Sequence, residues 1–201
     1  MWGVLPASDQ RFTEVVHAPS LLPRGPFLIT MATCHSLTKI KGQISGDPLD
    51  LKMFEVTDWE LDEPGEEDTS KFDTFAPTVV RPRHPDVVRD SSLEINEPGD
   101  TPYEVGIVRQ FTFSSSLQRM SVIARTLGER NFCLYAKGAP ETIASLCKVE
   151  TIPVDFHDKL LEYTQHGCRV LALAWKPLHA KVSYVKTQRI TRWELCGFVR
   201  T

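Results

Sequence analysis

Lys137-Gly138-Ala139-Pro140-Glu141 puts a cation, a residue with no side chain and a proline on consecutive positions. The run before it, Asn131–Ala136, reads as a strand, and the run after it, Glu141–Lys148, reads as a short helix. At such a junction a glycine lets a ligand approach the backbone closely. Proline suits the first helical turn, and Lys137 stands ready to meet negative charge. The same residues also describe a tight turn with a solvated lysine, and alone they do not separate the two readings. Three other segments carry residues suited to binding. They are Gly46-Asp47-Pro48-Leu49-Asp50, the run Phe111–Ser121 with three consecutive serines behind Phe113, and Gly167–Ala174 with Arg169 near its start.

Other chemistries are poorly supported. The histidines at 17, 35, 84, 157, 166 and 179 form no metal-spaced pair, so no metal site is expected. His35 lies in an otherwise apolar stretch and reads as a satisfied core or boundary residue. No Gly-x-Ser-x-Gly, Cys-His or paired-carboxylate constellation appears, and no Gly-x-x-x-x-Gly-Lys loop. No catalytic residue is therefore assigned.

A length of 201 residues and 41% hydrophobic content suit one globular domain with room for an insertion. The formal charge of −3 favours neither nucleic acid nor an anionic membrane surface. Five cysteines without metal-type spacing, most inside apolar runs, read as reduced core thiols of a cytosolic setting. No signal-peptide pattern is expected at the start of the chain. No apolar run nears the roughly 20 residues that span a bilayer, so a soluble chain is expected.

The elements that must position these residues follow from periodicity and punctuation. An opening strand around Trp2–Leu5 leads into a proline-marked loop. Apolar spacing predicts a helix over Pro26–Ile40, closed by Gly42. Asp47 then reads as an N-cap, Pro48 as the first helical residue and Asp50 as the third. These two helices form a predicted hairpin on one sheet face. A strand is expected to start at Asp58–Leu61. The acidic, proline-dense stretch of about 62–103 reads as an exposed, partly disordered insertion. Strands are predicted over Ile107–Phe113, Ser121–Thr126 and Phe132–Lys137, the last two joined at Gly128–Arg130. A helix over Asp155–His166 turns Phe156, Leu160, Leu161 and Tyr163 inward and ends at Gly167. A strand over Arg169–Trp175 follows. Residues 1–178 are read as the domain and 179–201 as an extension, with one further strand considered at Trp193–Val199. The expected fold class is α+β, an antiparallel β-sheet flanked by helical hairpins.

In order and spacing, the four blocks resemble those of the nucleotide-binding (N) domain of P-type ATPases. Their form is similar to the P5B subgroup, the endosomal and lysosomal polyamine transporters. The resemblance runs from about Leu5 to Leu178. It implies that Phe113 stacks on adenine, with Met120 as an apolar wall beside the base. It implies Lys137 at the floor of the adenosine pocket, Gly138 where the base enters, and Arg169 reaching the phosphates. Asp50 stands where many members carry a glutamate that accepts from the adenine amino group. Each has an alternative: core packing for Phe113, with Phe111 as its strand neighbour, and for Met120; a sheet-edge ion pair for Arg169; a helix N-terminus for Asp50.

The resemblance also implies what lies elsewhere. The Asp-Lys-Thr-Gly-Thr phosphorylation block is absent, so the expected ligand is ATP and Mg²⁺ would enter only through a phosphorylation domain outside this chain. Expected partners are adenine nucleotide and the phosphorylation and actuator domains of a parent ATPase, with no nucleic acid and no membrane insertion by this chain. The expected location is the cytosolic face of late endosomal or lysosomal membranes. The chain alone is expected to be catalytically inactive. A different class is a silent regulatory or interaction domain that keeps the fold. A third is an unrelated α+β binding module.

Overall fold

The computed structural model of the chain describes residues 2–8, 10–63, 78–84, 103–178 and 193–200. The described strands build one antiparallel sheet of nine: β1 (Gly3–Ser8), β2 (Arg11–Phe12), β5 (Trp59–Asp62), β6 (Thr78–Pro82), β7 (Val105–Ser114), β8 (Arg119–Thr126), β9 (Phe132–Gly138), β10 (Val170–Leu178) and β11 (Glu194–Arg200). Their order is β2-β1-β11-β10-β9-β8-β7-β6-β5. A separate hairpin pairs β3 (Thr38–Ile40) with β4 (Gln43–Ser45). The helices are α1 (Pro26–Thr33), α2 (Pro48–Glu55), α3 (Pro140–Leu146) and α4 (Phe156–Gln165). This is the α+β class expected.

Alternation along the central strands sorts the core onto two faces. Tyr135 on β9 joins Met120, Val122 and Ala124 of β8 under Leu28, Ile29, Ala32 and Phe54 of α1 and α2. Leu173 of β10 meets Phe27, Met31 and Met53 on the same side. Ala136, Ala172 and Ala174 point the other way, against Ile143 of α3 and Phe156 and Tyr163 of α4. Small residues on that face let the two helices lie close to the sheet.

α1 is half the predicted length. Its residues Phe27–Thr33 are all buried, and the chain leaves the helix at Cys34. Leu37 and Ile40 continue the apolar spacing, but Leu37 packs in the core from a loop while Ile40 is 56% exposed on β3. Lys41 and Gly42 both take positive φ, 50° and 81°, as the two-residue turn of the β3–β4 hairpin requires. Gly42 therefore closes a hairpin, and the two helices are joined through it.

Two further corrections concern boundaries. Thr78–Pro82 lies inside the predicted insertion, yet it is β6, paired with β5 and β7. The rest of the insertion reading, at 64–77 and 85–102, lies outside the described residues. The strand considered at Trp193–Val199 is present as β11, Glu194–Arg200, and lies between β1 and β10, so the sheet continues past the boundary read at residue 178. Phe198 and Val199 of this strand are fully buried. On α4, Leu161 points to solvent at 57% exposure, against the expectation that it faces the core.

Candidate functional site

Pro48 opens α2, and the Asp47 carboxylate caps it by accepting from the backbone N–H groups of Leu49 and Asp50, at 2.9 and 3.3 Å. The capped turn carries Asp50 inward. Its carboxylate is free of the helix end: one oxygen accepts from Ser36 N–H at 3.2 Å and the other takes an Nζ–H of Lys137. Both side chains are buried, at 7% exposure for Lys137 and 9% for Asp50. Asp50 is thus neither the cap of its helix nor a lone carboxylate. It is tied to the lysine that faces it across the α2–sheet interface.

Lys137 reaches that position through its register on β9. It pairs with Met120 on β8 and Leu173 on β10, all turned to the α1–α2 face. Gly138 is the next residue. A Cβ there would lie 2.4 Å from the Gln118 carbonyl oxygen and 2.8 Å from Arg119 Cβ. The missing side chain therefore serves the close approach of the β7–β8 loop rather than an open space for a ligand. Ala139 N–H donates to that same carbonyl at 3.0 Å, and α3 starts at Pro140.

Phe113 owes its position to an irregularity. Phe111 pairs with Ser121 and Ser114 with Arg119, so Thr112 and Phe113 together oppose Met120. Such a bulge re-aims the side chain beside it. Strict alternation would hold Phe111 and Phe113 on one face; with the extra residue, Phe113 lines a pocket together with Met120 while Phe111 does not. Neither phenylalanine is core, so the core-packing alternative considered for the pair is not met. Phe111 is 42% exposed under the Arg109 guanidinium, and Phe113 is 61% exposed.

Arg169 follows the end of α4. Gly167 (φ 74°) and Cys168 donate their N–H groups to Thr164 and Tyr163 carbonyls at 3.0 and 2.9 Å. This left-handed ending turns the chain sharply into β10. Arg169 is exposed and makes no ion pair or hydrogen bond among the described residues. The sheet-edge ion pair considered for it is not formed there.

These side chains converge. A pocket of about 460 Å³ is lined by Asp50, Phe113, Met120, Lys137, Gly138 and Arg169, together with residues not singled out from sequence, among them Ser36, Gln118 and Leu171. Gln118 lies within the serine block and Ala139 and Pro140 within the pentapeptide, so local sequence held a signal for them. Ser36 sits on a loop after α1 and had none. The volume falls in the range of small-molecule sites. The arrangement offers an exposed aromatic ring, an apolar wall at Met120, a buried ion pair with spare acceptor and donor capacity, and an unpaired guanidinium.

The neighbours of the ion pair are held neutral. Burial, with Lys137 nearby, lowers the His35 pKa from 6.5 to about 4. Both ring nitrogens are used: Nδ1 accepts from Leu37 N–H at 3.2 Å and Nε2 donates to the Ala32 carbonyl at 2.9 Å. His35 is the satisfied core residue expected. Burial pushes the Cys34 thiol up to about 12, which leaves it unreactive.

The profile of the family described as P-type ATPase, cytoplasmic domain N, matches residues 94–196, half of the chain. The chain is 50% identical over 199 residues, 96% of its length, to Polyamine-transporting ATPase 13A3 of Mus musculus. It is 42% identical over 190 residues to Polyamine-transporting ATPase 13A2 of Homo sapiens, and 43% identical over 184 residues to Probable cation-transporting ATPase 13A4 of Gallus gallus. These alignments cover 94% and 90% of the chain. It spans only 16% of the first two relatives and 14% of the third. The chain belongs to the P-type ATPase cytoplasmic N-domain family.

Proposed function

We propose that this chain binds ATP through its adenosine part and presents it to a phosphorylation domain of the same parent ATPase, outside this chain. The observation that carries the reading is the 460 Å³ pocket, which gathers all six expected residues from five segments of the fold, Lys137 and Gly138 sharing β9. Phe113 supplies an exposed face for the base, Met120 and Leu49 supply apolar contact, and the Lys137–Asp50 pair forms the polar floor. The ionised Asp50 carboxylate keeps lone pairs beyond its two bonds, enough to accept from an exocyclic amine. Arg169 lines the pocket, is exposed and has no ion pair or hydrogen bond among the described residues, which suits it to phosphate oxygens.

The relatives' names carry polyamine or cation transport. We extend this to the parent of this chain, with residence on late endosomal or lysosomal membranes. Phosphoryl transfer requires a nucleophile and Mg²⁺ ligands positioned with the nucleotide, and those are expected from the parent.

An NMR titration of the chain with ATP, ADP and GTP, with and without Mg²⁺, tests the reading. ATP should bind with Kd on the order of 0.1–10 mM, about 3–5 kcal/mol. ADP should bind within a few-fold of ATP, GTP more weakly, and Mg²⁺ should matter little. Shifts should centre on Phe113 and Gly138. The second reading, a silent interaction domain, draws on the fact that Lys137 already has a partner within the chain. Saturable ATP binding at the pocket rules it out; its absence up to about 10 mM supports it.

A further inference from the structure

Gln118 is held in a backbone conformation that non-glycine residues rarely adopt, with φ of 49°. Left-handed backbone is disfavoured for an ordinary L-residue because its Cβ crowds the following carbonyl. Two bonds fix it there. Its carbonyl accepts Ala139 N–H at 3.0 Å, and its side-chain Oε1 accepts from the Thr142 hydroxyl at 3.4 Å. The carboxamide nitrogen has no partner among the described residues, and the side chain lines the pocket. Backbone outliers of this kind gather at ligand clamps, and the exposed Gln118 can offer its free donor to a ligand seated in the pocket.

Strand register says which part of the ligand it meets. Met120, Lys137 and Leu173 form one cross-strand row on the pocket floor, and Arg119, Gly138 and Ala172 form the next. Gln118, bonded to Ala139, stands one row further. Two residues along an antiparallel strand span about 7 Å. That is the step from the base toward the sugar, on the way to Arg169.

We propose that the Gln118 carboxamide donates a hydrogen bond to a ribose hydroxyl of the bound nucleotide, and that Gln118 is a sugar-selecting residue of this site. The assignment rests on the proposed nucleotide binding. The test compares ATP with 2′,3′-dideoxy-ATP by NMR titration of the full chain, wild type and variants. Gln118→Gly suits the left-handed backbone and removes only the side chain. Gln118→Asn keeps a carboxamide, tolerates the same backbone and shortens the reach.

Wild type should prefer ATP over the dideoxy nucleotide by about 5- to 10-fold, the worth of one hydrogen bond. Gln118→Gly should lose that preference by weakening ATP alone, with thermal midpoint equal to or above wild type. Gln118→Asn should retain part of it. Equal weakening of both nucleotides by Gln118→Gly, or an unchanged preference, would overturn the assignment while leaving nucleotide binding intact. Absence of any ATP binding by wild type would overturn the functional reading and this assignment with it.

Discussion

Phe113 and Lys137 show how differently two residues of one site depend on the fold. Phe113 is 61% exposed, so its side chain contributes little to the core. Phe113→Ala should weaken ATP binding by roughly 5- to 100-fold, the range for loss of one base stack. Urea unfolding should move by less than about 0.5 kcal/mol. Lys137 is the opposite case. Removing it strands the Asp50 carboxylate in a buried site with Ser36 N–H as its remaining partner. Lys137→Met should cost about 3–5 kcal/mol in urea unfolding. The double variant Lys137→Met/Asp50→Leu should recover most of that loss while ATP binding stays absent. A single variant as stable as wild type would show that the pair does not support the fold. Neither the ligand reading nor the solvated reading of Lys137 contained this partner, because Asp50 lies 87 residues away.

At the scale of elements, the site depends on how the β7–β8 loop closes on the β9–α3 junction. Gly138 permits that closure, since a Cβ would press on backbone at 2.4 Å and no flexible side chain could yield. Gly138→Ala should destabilise the chain by about 1–3 kcal/mol, as over-packing does. It should also weaken ATP binding by displacing Gln118 and, through the loop, the end of β7 that carries Phe113. Thermal unfolding and the same titration check both; unchanged values in the two would sink the reading of this contact. The caps at Asp47 and Gly167 were legible because capping chemistry is local. The bulge that turns Phe113 was not, because it is a mismatch between two strands and exists only once they pair.

At the scale of the whole molecule, His35 reports on the assembled fold through pH. It touches the Phe54 ring of α2 and lies near Lys137 of β9, Asp50 of α2 and Cys34. Its folded pKa of about 4 lies below the ordinary 6.5, so the unfolded chain binds more protons between those values. Stability from this group is therefore fully present above about pH 6.5 and is lost as pH falls toward 4 and below, by up to about 3 kcal/mol. Chemical denaturation across pH 4–7 should show that slope, and His35→Gln should flatten it. An equal slope in the variant would assign the acid sensitivity to other groups.

What the sequence determined by itself was whatever rests on near neighbours. The strand and helix around Lys137-Gly138, the capped start of α2, the α4–Gly167 ending and the identity of the four binding blocks all follow from residues within a few positions of one another. Tertiary structure decided the rest. It cut the predicted Pro26–Ile40 helix at Thr33, because Leu37 could be buried from a loop and the Lys41-Gly42 turn could pair Thr38–Ile40 with Gln43–Ser45. It drew Glu194–Arg200 into the sheet, where Gly3 pairs with Arg200 from the far end of the chain. It also joined Lys137 to Asp50. Each of these is a pairing between distant segments, and its free energy comes from surface removed from water only when both segments are in place.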